Sequence, residues 1–192
     1  LQHITTKNAV DFVKLFPTVS ATITLHHPCL SINDVISHRF HPHRFGHPIP
    51  KTDPDRGNLI AAATSGDPKF FLGADSDPYE RQLKECAECC PGIYTSPHLL
   101  ESLTQLFDEQ NALPNLRKFV SDNARHWYKL PAASYELGLI QDPWYVGEEY
   151  DGVVPLFAGK EVKWRVVEAT GMAVVKSLDE NLKYAGATAD LE

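Results

Sequence analysis

A carboxylate that follows a short apolar run is the first feature of the sequence that could do chemistry. Phe70, Phe71 and Leu72 run into Gly73, and Asp75 comes two residues later. A short apolar run bounded by glycine and proline predicts a strand buried on both faces, as in a parallel sheet. Ligands and catalytic side chains collect at the carboxyl ends of such strands. Asp75 is therefore a candidate catalytic group, and a helix N-cap or a loop hydrogen-bond acceptor is an equally common alternative.

Histidines are the second candidate for chemistry. Six of them lie among prolines in a segment that follows a β-branched run, and they are His26, His27, His38, His41, His43 and His47. Neither a helical nor a strand period fits this segment, and its prolines predict an ordered irregular loop. Six imidazoles could bind a metal ion. However, none of them forms an H-x-H pair on a predicted strand with a carboxylate partner, and His41-Pro42-His43 is poorly placed for this. Surface or loop-packing histidines are the favoured interpretation.

The cysteines are the third candidate. The chain has four, namely Cys29, Cys86, Cys89 and Cys90. Cys86 and Cys89 have the spacing of half a zinc knuckle, but a second C-x-x-C pair is missing. Four cysteines do not make a disulfide framework in a chain of this length, so we expect reduced thiols in a loop of a cytoplasmic protein.

The elements that would position these residues alternate between helix and strand. Thr5 or Thr6 can cap a helix over residues 7–16, and residues 20–24 predict a short buried strand. A helix over residues 55–65 then leads to the apolar run before Asp75. This alternation predicts βα units wound into a parallel sheet, which is an α/β fold.

The second half of the chain predicts helices and then irregular structure. Helices are expected to begin at Ser96 and at Pro114, because each start pairs a capping residue or a proline with an apolar stripe. Residues 135–167 are rich in glycine, proline, tyrosine and valine and predict irregular chain with short strands, of which 162–167 is the clearest. The last twenty residues predict a polar extension with some helical tendency.

Composition limits the partners. The net charge is −7, with 25 acidic and 18 basic residues and no basic run, which argues against a nucleic-acid or anionic-membrane surface. No apolar stretch approaches the roughly 20 residues that span a bilayer. With 192 residues and 43% hydrophobic content, the chain predicts one domain or a large piece of one. It opens on Leu1 in strand-like sequence, from which we expect that an upstream segment has been removed.

Five blocks, in order and near the expected spacing, resemble dihydroorotases, in particular the shorter class II branch of this amidohydrolase family. They are residues 3–6 (HITT), 21–27 (ATITLHH), 71–78 (FLGADSDP), 107–113 (FDEQNAL) and 154–159 (VPLFAG). The resemblance extends from residue 1 to about residue 167. It implies a partial amidohydrolase barrel over 1–167 and a C-terminal extension over 168–192.

The resemblance implies a fold and an activity. The family fold is a (β/α)8 TIM barrel with two zinc ions at its C-terminal face, and this chain would be its C-terminal portion, the last strands and helices, with an irregular tail. The family reversibly hydrolyses the cyclic amide of dihydroorotate to carbamoyl aspartate in pyrimidine biosynthesis. A small-molecule substrate follows as the expected partner. Since three strands cannot close an eight-stranded barrel, the open edge also predicts self-association, for example as a homodimer.

The resemblance also implies roles for individual residues. His3 and Asp75 would bind zinc, and Asp75 would move the proton of the metal-bound hydroxide. The remaining zinc ligands would lie upstream of this chain. Substrate contacts would come from four further positions, His47, Tyr79, Pro91 and Gly92.

Two departures from the family pattern leave alternatives open. The family sequence Asp-Ser-Ala-Pro-His is Asp75-Ser76-Asp77-Pro78-Tyr79 in this chain, and Cys-Ala-Gly is Cys90-Pro91-Gly92. Tyrosine has no cationic form, and Pro91 lacks a backbone N–H. A cyclic-amide hydrolase with altered substrate is therefore one alternative. A non-catalytic structural or interaction module is another.

Overall fold

The structure, a computed structural model, describes residues 1–134 and 136–168. Three extended segments run side by side at its centre, and they are residues 1–4, β1 (Ala21–Ile23) and β2 (Phe70–Leu72). β1 and β2 pair in parallel with Thr22 opposite Phe71. Residues 1–4 lie on the other side of β1, because Thr22 donates to the Leu1 carbonyl and accepts from the Ile4 N–H. The predicted α/β alternation is confirmed over this region.

Helices connect these segments and bury their apolar faces against them. α1 (Lys7–Leu15) begins after Thr6, whose side chain accepts the Ala9 N–H, and it buries Val10 and Val13. α4 (Asp53–Thr64) begins with a capping box, in which Thr52 and Asp55 each accept the other's backbone N–H. Both helices were predicted, with α4 starting two residues earlier than expected.

The histidine-rich segment is more regular than the prolines predicted. It contains α2 (His26–Cys29), α3 (Ile32–Val35) and a 3₁₀ turn, Pro42–Arg44. The expectation of an irregular loop was wrong for residues 26–35. A local capping box explains α3, because the Asp34 carboxylate accepts from both the backbone and the hydroxyl of Ser31.

The later helices differ in their details from the prediction. α5 (Arg81–Lys84) is a short helix before the cysteines, and α6 (Leu99–Glu109) follows a 3₁₀ turn, Ser96–His98. The helix expected at Pro114 instead begins as the 3₁₀ turn Leu113–Asn115. It widens to a π-helical stretch, Lys118–Asp122, and ends as α7 (Asn123–Tyr128).

The prediction for residues 135–167 was right in part: the strand expected over 162–167 is confirmed, whereas the long strand that pairs with it was not predicted. β3 (Leu137–Tyr145) and β4 (Glu161–Glu168) form a long antiparallel pair that packs on α6. The register shifts between Gln141 and Trp144, where Asp142 and Pro143 interrupt the strand pattern, and this break made β3 hard to predict. Trp164 is fully buried in the main core, so this pair completes the core.

The C-terminal extension expected over 168–192 lies outside the described residues except for Glu168, and so does its helical tendency. The domain division at residue 167 therefore stays a prediction. Within residues 1–134 and 136–168, no helix has both the length and the apolar character needed to cross a membrane.

Lys69, just before β2, clamps the end of α1. Its ammonium donates to the carbonyls of Val13, Lys14 and Phe16 at 3.1, 3.1 and 3.3 Å. These carbonyls belong to the unpaired last turn of the helix, where a cation is also favoured by the helix dipole. Lys69 therefore fixes the C-terminal end of α1 next to the start of β2.

The turn before α6 buries a histidine. His98 is fully enclosed, its ring packs on Phe157 with centroids 5.2 Å apart, and its Nδ1 lies 2.8 Å from the Ser102 hydroxyl. Burial lowers the pKa of His98 from its ordinary value of 6.5 to about 4. The ring is therefore neutral at neutral pH.

We expect the free energy of unfolding to fall as the pH is lowered from 6.5 towards 4, the two pKa values of His98. In this window the unfolded chain binds more protons than the folded one, so stability is complete above the window and is lost through it. The His98 contribution is about 3 kcal/mol. Urea unfolding followed by tryptophan fluorescence should show a shallower pH dependence for His98→Gln, while His38→Gln, at an exposed site, keeps the original slope. Equal slopes for all three proteins would contradict this.

Candidate active site

His3 and Asp75 come together at the ends of the central segments. His3 Nε2 lies 3.7 Å from Asp75 Oδ1, and the two side chains are 25% and 28% exposed. Both residues have left-handed backbone conformations, with φ of 50° and 46°. Such conformations cost roughly 1 kcal/mol or more for residues other than glycine and cluster at functional sites. An imidazole and a carboxylate are thus held next to each other and open to solvent.

β1, which lies between the two outer segments, positions this pair. The His3 N–H donates to Thr22 Oγ1 at 2.8 Å. On the other side, Gly73 passes so close that a Cβ at this position would lie 2.6 Å from Thr22 Cβ. The glycine that ends the apolar run is therefore required by the close approach of β2 to Thr22.

His27 is buried just after β1, and its tautomer is fixed by its hydrogen bonds. Its Nε2 lies 2.7 Å from the Pro48 carbonyl, which can only accept, so the proton is on Nε2. Nδ1 then accepts from the Thr24 hydroxyl at 2.8 Å. Burial lowers the pKa of His27 to about 4, which keeps it neutral. His27 therefore ties the end of β1 to the loop that carries His47.

His26 is also buried, and its ring packs at a tilt against that of His27 with ring centroids 4.3 Å apart. Its pKa lies well below the usual value, first because of burial and then because of His27 and His3. Its Nδ1 finds no hydrogen-bond partner in the described part of the chain. The interpretation as surface or loop-packing histidines is thus wrong for His26 and His27, which are buried at the start of α2. Of the others, His43 lies 2.8 Å from Glu85 and His47 packs against Phe45.

Main-chain bonds join the loops that carry the four expected substrate contacts. The Gly92 N–H donates to the Phe45 carbonyl at 3.0 Å, two residues before the exposed His47. Pro91 is exposed and has no N–H, so positions 91 and 92 offer a substrate no free backbone donor. Among the described residues, no hydrogen bond or ion pair joins these positions to His3 or Asp75.

Tyr79 lies over Gly92. A Cβ at position 92 would come within 2.7 Å of Tyr79 Cε2 and 2.6 Å of the Asp77 carbonyl. The half-buried tyrosine ring thus fills the space left by the missing side chain. The structure brings Tyr79, Pro91 and Gly92 together, and their contact with a substrate stays a prediction.

The side chains of His3 and Asp75 have some, but not all, of the features of a zinc site. His3 Nδ1 is buried and has no hydrogen-bond partner among the described residues, as expected for a ring whose partner is a metal or another segment. Imidazole and carboxylate are both common zinc ligands. However, residues 1–134 and 136–168 contain no group of three or more histidine, cysteine, aspartate or glutamate side chains that could hold a metal. His3 and Asp75 can therefore supply only part of a zinc site.

The cysteines all carry free thiols. Cys29 lies at the end of α2 rather than in a loop, which corrects the prediction for this residue. Burial raises the pKa of its thiol to about 12, so it is unreactive at neutral pH. Cys86 is exposed, whereas Cys89 and Cys90 are half-buried.

Two residues near the site carried no signal strong enough to predict their roles. The Ser76 hydroxyl accepts the backbone N–H groups of Thr95 and Ser96, both at 3.0 Å, and so fixes the loop after Asp75. The only sequence signal for this role of Ser76 was its position directly after Asp75. Lys84 is buried to 2% exposure beside Gly92, which nothing in a polar loop sequence predicts.

Similar proteins identify the family. No family model matches the chain. The dihydroorotase of Nitrosococcus oceani is 42% identical over 173 residues, which are 88% of this chain and 50% of that protein. The crystal structure of dihydroorotase from Saccharomyces cerevisiae in complex with 5-fluoroorotic acid aligns with 88% of this chain and 50% of its own, at 32% identity and a TM-score of 0.80. The chain belongs to the dihydroorotase family.

A second solved structure of a dihydroorotase is also similar to this chain. Dihydroorotase from Campylobacter jejuni is 34% identical and aligns with 88% of this chain and 50% of its own, with a TM-score of 0.78. The chain spans about half the length of the curated relatives it matches, and the match falls on the C-terminal half of the dihydroorotases. The resemblance drawn from the five sequence blocks is thereby confirmed.

Proposed function

We propose that this chain supplies the His3 and Asp75 side of the active site of a dihydroorotase, a zinc-dependent cyclic amide hydrolase of pyrimidine biosynthesis. The observation that carries the proposal is the distance of 3.7 Å between His3 Nε2 and Asp75 Oδ1 in a chain that is 42% identical to a dihydroorotase. The two left-handed backbone conformations support a functional site, because such strain clusters at functional positions.

The fold that goes with this function is the C-terminal portion of a (β/α)8 barrel. Residues 1–4, β1 and β2 would be its last three strands, with α1 and α4 among its outer helices. The parallel order of the segments supports this assignment. So does the position of His3 and Asp75 at the carboxyl ends of two segments, which is the catalytic face of such barrels.

Asp75 would act on the proton of the attacking water. Its carboxylate takes this proton as the water oxygen bonds to the amide carbon, and returns it to the ring nitrogen as the C–N bond breaks. Dihydroorotate thus becomes carbamoyl aspartate, and the reverse steps close the ring. Zinc, when bound by His3 and Asp75 together with ligands from outside this chain, would make water a nucleophile near neutral pH.

The substrate would lie between the loop of His47 and the segment with Tyr79, Pro91 and Gly92. The bond between the Gly92 N–H and the Phe45 carbonyl supports this, because it holds the two loops side by side. Since positions 91 and 92 have no free N–H, the segment would donate no backbone hydrogen bond to the substrate at these positions. We also propose a cytoplasmic location, which the four free thiols support.

Complementation tests the function. The chain would be co-expressed with the N-terminal half of the Nitrosococcus oceani relative, which the match leaves uncovered, to give what we call the complemented complex. With zinc, we expect this complex to hydrolyse dihydroorotate, while the N-terminal half alone and the chain alone do not. A purified, zinc-loaded complex without turnover would contradict the proposal.

A further inference from the structure

Lys84 is a buried lysine whose three N–H groups are all used by backbone carbonyls. The residue is 2% exposed at the end of α5, and Nζ donates to Phe45 O at 2.9 Å and to Cys90 O and Gly92 O, both at 2.7 Å. Nζ also lies 5.8 Å from the centroid of the Phe45 ring. The three acceptors come from two different loops.

This ammonium is costly to bury. Among the described residues no carboxylate lies within ion-pair distance of Nζ, and burial lowers the pKa of Lys84. A buried charge is tolerated when every donor has a partner, but an apolar side chain of similar size would generally fill the same space as well or better. Packing alone therefore does not explain a lysine at this position.

The acceptors show what the lysine does. Phe45 begins the stretch that leads to His47, and Cys90 and Gly92 are the neighbours of Pro91 on either side. The Phe45 carbonyl accepts both from Lys84 and from the Gly92 N–H, so the two loops meet at one point. Lys84 thus holds both sides of the space in which the substrate is proposed to lie.

Lys69 provides a contrast with the same chemistry. Its ammonium also donates to three carbonyls, but all three belong to the end of α1. That clamp stabilises one element and touches neither loop. A lysine with three carbonyl partners is thus a fold clamp at position 69 and a link between two loops at position 84.

We propose that Lys84 is a positioning residue of the substrate site, which fixes the His47 loop and the Pro91 segment relative to each other through its three carbonyl contacts. This rests on the proposed function for the identity of the site. The link between the loops can be measured without turnover, so the two proposals can fail separately.

Hydrogen exchange measured by mass spectrometry on the full chain is the first test. Lys84→Met should speed exchange in residues 45–48 and 89–93 together by about tenfold or more, while α1 keeps its protection. Lys69→Met is the matched control and should speed exchange in α1 but not in these loops. If Lys84→Met speeds only one loop, or if Lys69→Met speeds both loops equally, the proposal is overturned.

Lys84→Arg covers the case in which the methionine variant does not fold. A planar guanidinium cannot direct three N–H groups at the same three carbonyls, so exchange should rise severalfold in both loops. Unchanged exchange in both loops would overturn the proposal.

Kinetics of the complemented complex are the second test. Lys84→Met should raise KM for dihydroorotate about tenfold with kcat within about threefold, because substrate positioning is lost while Asp75 is intact. Lys69→Met should leave both constants unchanged, and a fall in kcat alone for Lys84→Met would overturn the positioning role. If the unsubstituted complex has no turnover, the proposed function fails, and the exchange comparison alone decides whether Lys84 links the loops.

Discussion

Asp75→Asn is expected to lower kcat for dihydroorotate hydrolysis by about 10³-fold in the complemented complex. The amide keeps the size of the carboxylate and the left-handed backbone at position 75, which asparagine adopts as readily as aspartate. It cannot take a proton from water, however, and it is a weaker zinc ligand. Both defects act on the reacting atoms, so the loss should fall mainly on kcat.

The matched control for this variant is Asp67→Asn. Asp67 lies before β2 rather than after it, and its carboxylate accepts the Lys69 N–H, a bond that an asparagine oxygen can replace. Its kcat should stay within about threefold of the unsubstituted complex. Zinc content, measured in each variant, separates lost metal from lost proton transfer. An Asp75→Asn complex that keeps full activity would remove Asp75 from the mechanism.

The parallel centre of the fold could be predicted because its signals are local. Thr6 caps α1 as its sequence predicts, and the apolar run that ends in Gly73 forms the short buried strand expected for it. Asp75 followed as a site candidate from its place after that strand. Its approach to His3 was an inference from family resemblance, because 72 positions of sequence separate the two residues.

The parts that could not be predicted depend on distant contacts. β3 has Asp142 and Pro143 in its middle, and it is a strand because β4 pairs with it on both sides of that break. His27 and Lys84 look like surface residues in a polar loop, yet their partners Pro48, Phe45 and Gly92 lie elsewhere in the sequence. Burial of such side chains is decided by tertiary hydrogen bonds, which local patterns do not contain.

The chain alone is expected to self-associate, because the described sheet has an unpaired edge. Residues 1–4 pair only with β1, which leaves their other side without strand partners in the described structure. The helix that follows this segment, α1, exposes Phe12 and Leu15 at 45% and 72%, and Phe16 directly after it is 41% exposed. An open strand edge and exposed apolar side chains both favour association with another chain. The homodimer expected for a partial barrel with an open edge would be one form of this association.

Size-exclusion chromatography with light scattering at micromolar concentration measures this association. We expect dimers or larger species for the chain alone and a one-to-one complex when the complementing half is present, because that half would cover the same edge. Phe12→Ser with Phe16→Ser should reduce self-association, since the two rings pack together 4.7 Å apart on the exposed face of α1. The matched control is Leu130→Ser with Tyr145→Ser, which removes exposed apolar side chains that do not belong to α1. A monodisperse monomer with a cooperative thermal transition would show that residues 1–4 need no partner. This result would contradict the self-association that we expect of a partial barrel.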